Sequence, residues 1–99
     1  MGFEWDPAKD RLNLQKHGIG FDYAIRIFEG PLVEYLDDRR DYGEVRIVAL
    51  GGVDNRILTV IYTLRQGERR IISARVAKKH ERKKYSAPLS TIAFSNRGH

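Results

Sequence analysis

The 99-residue chain contains no cysteine, one methionine and one tryptophan. The lack of thiols excludes disulfide staples, thiolate metal sites and a cysteine nucleophile together, and it fits a reducing compartment. Histidine is almost as scarce. His17, His80 and His99 are too far apart in the chain to form the helical pairs that bind zinc, so no metal or other cofactor is expected. No Walker-type loop or dinucleotide fingerprint occurs, and Gly51-Gly52 reads as a hairpin turn rather than a phosphate cradle. No apolar run approaches the roughly 20 residues that span a bilayer. The opening Met1-Gly2-Phe3-Glu4-Trp5-Asp6 has neither the basic nor the apolar region of a signal peptide. A cytoplasmic protein with no membrane contact is the expectation.

What is plentiful is charge, at 31% of residues with a net +5, and it is concentrated. Residues 65–85 carry nine Lys/Arg against Glu68 and Glu81, whereas residues 1–64 carry more acids than bases. A positive field on one corner of a small domain attracts polyanions, and RNA or DNA is the commonest of these in a cell. The plain alternative is a solvated helix face that aids solubility.

The length suits one domain with a single modest core, expected over residues 1–85, with residues 86–99 as a tail that is either disordered or docked on a partner. Phe3 and Trp5 alternate with Glu4, as in a short strand or extended arm. Asp6-Pro7 starts a helix and Gly18 ends it, with Ala8, Leu12 and Gln15 on one face. Phe21, Ala24, Ile25 and Phe28 fall at i, i+3, i+4 and i+7, which predicts a second helix up to Gly30-Pro31. The period then changes to two. Strands are expected over 32–36, 45–50, 57–64 and 69–77, with turns at Gly51 to Arg56 and at Gln66-Gly67. In the last strand Ile72, Ala74 and Val76 should share one face, and Ile71, Ser73 and Arg75 the other. Residues 78–85 then form a short basic helix stopped by Ser86-Ala87-Pro88. The fold class is α+β: two N-terminal helices packed on a twisted antiparallel meander, followed by the basic helix.

Without metal or thiol chemistry, a basic segment points to phosphate chemistry by cations. In RNA the 2′-hydroxyl can attack the adjacent phosphate if one group takes its proton, another stabilises the developing charge, and the 5′-oxygen leaves protonated. Guanidinium forks match phosphate oxygens in pairs, which makes Arg75 and Arg82 the candidates for the charge role. His80, Glu81 and Lys79 are the proton-transfer candidates, and spacing ranks none of the three. Tyr85 is a candidate for stacking a base, or an anchor holding the helix to the sheet. Lys78, Arg65 and Arg46 are candidates to extend the binding surface. The same segment would also serve a non-catalytic nucleic-acid-binding module or an interaction protein.

Four blocks, FEWDPAK, NLQKHGIGFDYA, DYGEVRIVALG and RIISARVAKKHERKKY, together resemble the BrnT family of type II toxins, over Phe3 to Tyr85. The resemblance implies a RelE-like ribonuclease toxin that cuts RNA and arrests growth. It also implies a ribbon-helix-helix antitoxin, BrnA, in a complex of two toxins bridged by an antitoxin dimer, which binds operator DNA through the antitoxin. By position it carries the family's arginine onto Arg75, its Glu-Arg onto Glu81-Arg82 and its aromatic onto Tyr85. The chain departs from the family at Gly20, where serine is common, and after Pro88.

Overall fold

A computed structural model describes residues 2–87. Its elements are β1 (Phe3–Glu4), α1 (Pro7–His17), α2 (Phe21–Ala24) with a 3-10 turn continuing it over Ile25–Glu29, β2 (Leu32–Leu36), β3 (Ile47–Val53), β4 (Arg56–Arg65) and β5 (Glu68–Val76). A final helix, α3, covers 79–87. The tail from Pro88, with the expectations placed on it, lies outside the described residues.

The sheet has the order β1-β5-β4-β3-β2. Strands β2 to β5 form the expected antiparallel meander, but β1 pairs with β5 in parallel, so the whole sheet is mixed. Only two residues of β1 pair, through Phe3 and Glu4 opposite Arg69 and Arg70.

The turn expected over Gly51 to Arg56 is narrower than those bounds. Gly51-Gly52 lies inside β3, and the chain reverses at Asp54-Asn55, both at positive φ. Asp and Asn tolerate that left-handed region and Gly51 is needed for another reason. A Cβ on Gly51 would stand 2.7 Å from the Ile27 Cβ and 3.3 Å from the Ile27 carbonyl oxygen. The missing side chain is what lets the 3-10 turn lie flat on the sheet.

The first helix starts and ends as its sequence dictates. The Ala8 N–H donates to the Asp6 carboxylate, and the Gly18 N–H, at φ 73°, donates to the Leu14 carbonyl. Its buried side is not the apolar one, however. Leu12 and Leu14 are exposed, and the one buried residue is Asn13. The Asn13 amide donates to the carbonyls of Ala74 and Ile19, and its oxygen accepts from the Ala74 N–H at 3.1 Å. It therefore satisfies the open edge of β5 as a neighbouring strand would.

The second helix is shorter than its periodicity predicts. Phe21, Ala24 and Ile27 are fully buried at a spacing of three, which the tighter 3-10 turn brings into line. Gly20 offers no capping side chain, and Asp10 of α1 substitues by accepting from the Phe21 N–H at 2.8 Å.

These helices cover one face of the sheet, where Phe21, Ile27, Leu58, Val60, Ile71 and Ala74 form the main core. A β-bulge opposite Ile61/Tyr62 explains how Ile71 and Ala74 reach the same face despite their odd spacing. It also sends Ile72 to the other face, contrary to the alternation expected of an unbroken strand. On that second face Val48, Leu50 and Ile61 form a smaller cluster, closed by Val33, Tyr35, Ile72 and Tyr85 of α3. The remainder of this face is open.

Candidate functional site

The open face carries a cleft of about 910 Å³ whose floor follows from strand register. Leu50 stands opposite Val33 and Thr59, and Thr59 opposite Arg75, so these four make one row across the sheet. Tyr35, Val48, Ile61 and Ser73 make the next row. Apolar residues fill the middle of both rows, and β5 brings hydroxyl and guanidinium groups to their end.

Helix α3 supplies one wall, with Lys78, His80, Glu81 and Lys84 lining the cleft. Glu81 is the pivot of this wall. It is only 4% exposed, and its carboxylate accepts from both terminal nitrogens of Arg75, at 2.6 and 2.9 Å, and from the Thr59 hydroxyl at 3.0 Å. It also accepts from the Lys78 backbone N–H at 2.8 Å. That last bond is the backward half of a capping box, in which a glutamate at the third helical position reaches the N–H of the residue before the helix. One carboxylate thus starts α3 and fixes Arg75.

Burial pushes the Glu81 carboxyl up, but Arg75, the Lys78 N–H and Thr59 outweigh it and hold its pKa at about 2. A group so acidic is ionised throughout the physiological range and is a weak proton acceptor. Of the proton-transfer candidates, Glu81 is accordingly fitted to position Arg75 rather than to move a proton. Arg75 presents its terminal edge to Glu81. Among the described residues, its second edge, formed by Nε and the other Nη2 hydrogen, has no protein partner. A guanidinium can hold a phosphate by such an edge.

The opposite wall comes from β2 and the loop after it. Asp37 is buried and receives a bidentate bond from Arg39, at 2.7 and 2.8 Å. The bonds from Arg39 hold the Asp37 carboxyl below its ordinary range against the opposing effect of burial, and Asp37 raises Arg39 in turn. Lys84 lies over the Tyr35 ring, 3.9 Å from its centroid. Burial and the Glu81 charge raise the Tyr35 phenol, with smaller opposing effects from Arg75 and Arg39. The phenol is therefore un-ionised at neutral pH and retains its proton for donation.

The sequence candidates separate clearly. Arg75, Lys78, His80 and Glu81 meet in the cleft. Arg82 does not line it: its guanidinium donates to the Ala77 carbonyl at 2.8 Å and braces the strand–helix joint. Lys79, neighbouring His80 on the same helix, is likewise absent from the lining. Tyr85 packs on the smaller core cluster and donates from its hydroxyl to the Pro31 carbonyl, which is the anchoring alternative. Arg46 stacks on Tyr42, 4.0 Å from the ring centroid, and pairs with Glu44. Arg65 lies at the far end of β4 beside Val45 and Leu64, in a separate depression. The residues missed from sequence are Thr59, Tyr35 and Lys84. Their relevance comes from cross-strand register and helix phase, for which single-sequence patterns hold no direct signal.

In this α+β domain helices cover one sheet face, and the cleft on the other mixes Arg39, Arg75, Lys78 and Lys84 with Glu34, Asp37, Asp38 and Glu81. Arg39 and Arg75 are paired with acids, while Lys78 and Lys84 and the second edge of Arg75 can meet a polyanion. The family model described as the ribonuclease toxin BrnT of type II toxin-antitoxin systems matches residues 5–81, and the chain belongs to this family. It is thus a toxin with endoribonuclease activity, from a family that implies an antitoxin partner and an RNA substrate. Its structure is similar to the 1.1 Å crystal structure of the Brucella abortus ribonuclease toxin BrnT, with a TM-score of 0.61 at 26% identity, over 80% of this chain and 99% of that one. No curated protein matches the sequence. Among the described residues, no helix is long and apolar enough to cross a membrane.

Proposed function

We propose that the protein cleaves RNA without a metal, by attack of the 2′-hydroxyl on the adjacent phosphate, in the cleft beneath α3. The observation that carries this reading is the Arg75–Glu81 pair, which holds one guanidinium edge rigidly and leaves the other available to a phosphate. In this reading Arg75 stabilises charge developing on the non-bridging oxygens, a role for which a preset donor needs no reorganisation during reaction. Lys78 and Lys84 bind flanking phosphate charge, and His80, the imidazole that lines the cleft, transfers the proton. Glu81 and Thr59 position Arg75.

The reading extends to a RelE-like architecture, a cytoplasmic setting and neutralisation by a BrnA-like ribbon-helix-helix antitoxin. The expected assembly has two toxins and two antitoxins and reaches operator DNA through the antitoxin.

The test is cleavage of RNA by purified protein in EDTA, with the product ends identified. Wild type should leave 2′,3′-cyclic phosphate and 5′-hydroxyl ends. Arg75→Lys, which keeps a charge for Glu81 but loses the fork, should lower kcat on the order of 100-fold. Wild-type rates in the variant, or loss of wild-type cleavage in EDTA, would overturn the mechanism.

A further inference from the structure

A second cationic surface lies across β5 from the cleft. Lys9, Leu12, Lys16 and His17 of α1 face Ile72 and Ser73 of β5 around a depression of about 220 Å³. This depression shares no lining residue with the cleft but lies close to it along β5. Ser73 ends the floor row that begins at Tyr35, and Arg75, two residues further along β5, ends the adjacent row. Residues two apart on a strand project to the same face, about 7 Å from each other. Ser73 lines the depression and Arg75 the cleft, so the two hollows are separated by one strand repeat of β5.

The lining has the chemistry of a nucleotide site. Lys9 and Lys16 are exposed, and among the described residues neither has an ion-pair partner. Leu12, 63% exposed in mid-helix, and half-buried Ile72 give an apolar surface beside these charges. A packed helix face would normally bury such a leucine, but α1 is held to the sheet through Asn13 instead. Burial lowers the His17 imidazole, with Lys16 and Arg75 acting in the same direction.

We propose that the α1–β5 depression is a subsite for a nucleotide flanking the scissile phosphate, with Lys9 and Lys16 on the RNA backbone and Leu12 and Ile72 against a base. The proposal rests on the cleft being the site of RNA binding. It gives the enzyme a reason to bind a single strand several nucleotides long, since one strand would run from α3 across the β5 edge onto α1. A duplex would have to unstack to lay a base on Leu12, so single-stranded regions are the favoured targets.

The experiment measures binding of fluorescent 2′-O-methyl RNA, which cannot undergo 2′-hydroxyl attack, and so reads the subsite independently of catalysis. The full chain is compared with Lys9→Ala/Lys16→Ala on an octamer and a trinucleotide over a range of salt. Loss of two backbone contacts should raise the octamer Kd by about tenfold and reduce the slope of log Kd against log salt by about 1.4, at about 0.7 per contact on a single strand. The trinucleotide Kd should move less than twofold, and Lys9→Arg/Lys16→Arg should restore the octamer. An octamer Kd and slope matching wild type would overturn the subsite, as would equal losses for both lengths. If wild type binds the octamer with this lysine dependence yet cuts no RNA, the catalytic reading fails and the subsite stands.

Discussion

Glu81 shows how one side chain can join local and tertiary structure. Its pKa of about 2 lies below the ordinary carboxylate value of 4.5, so folding favours the ionised form. That stabilisation is present in full above about pH 4.5 and is lost as pH falls toward 2. The shift corresponds to about 3 kcal/mol at neutral pH, as an order of magnitude. Glu81→Gln should be less stable than wild type at pH 7, and the gap should narrow as the pH is lowered from 4.5 toward 2. Urea denaturation at several pH values measures this, and a gap that stays constant would show that the carboxylate charge contributes nothing. The same residue marks what sequence could supply. Arg75, Lys78, His80 and Glu81 were legible as candidates because they lie close together in a basic segment. That Glu81 points inward and Arg82 turns back to Ala77 depends on the phase of a helix only nine residues long. No pattern in so charged a segment fixes that phase.

Among the elements, strand β2 and helix α1 were legible to the residue, since Pro-Gly punctuation and caps bound them. The mixed sheet, the bulge and the continuation of β3 through Gly51-Gly52 were not. Each depends on a distant contact: β1 on the free edge of β5, the bulge on the register against β4, and Gly51 on the approach of Ile27. Asn13 is the clearest case of tertiary need overriding pattern. Its amide makes three buried bonds where an apolar stripe would predict a leucine contact. Asn13→Ala should leave backbone groups of Ala74 and Ile19 unpaired and destabilise the protein by about 2–4 kcal/mol. Hydrogen exchange at the Ala74 amide should accelerate with it. Unchanged protection there would mean that α1 is held by other contacts.

At the scale of the whole molecule, the net charge of +5 comes from residues 65–85, and part of that basic segment reaches the cleft, where acids also line the walls. Arg75, Lys78 and Lys84 all line one cleft, and three such contacts to a single strand give a log–log salt slope of about −2. KM for RNA should therefore climb steeply between low and physiological salt, while kcat changes little. Steady-state kinetics across that range is the measurement, and a flat KM would separate the basic surface from substrate binding. Such a field also steers encounter, so the rise in KM should come largely through slower association.

The bond from Glu81 back to the start of α3 has a consequence for how the cleft could be disarmed. The carboxylate that aims Arg75 belongs to the first turn of α3, six residues after the arginine it holds, and that turn depends on the same carboxylate. Whatever unwinds this one turn takes the brace from the guanidinium in the same movement, so a partner gripping α3 could silence the arginine without ever entering the cleft.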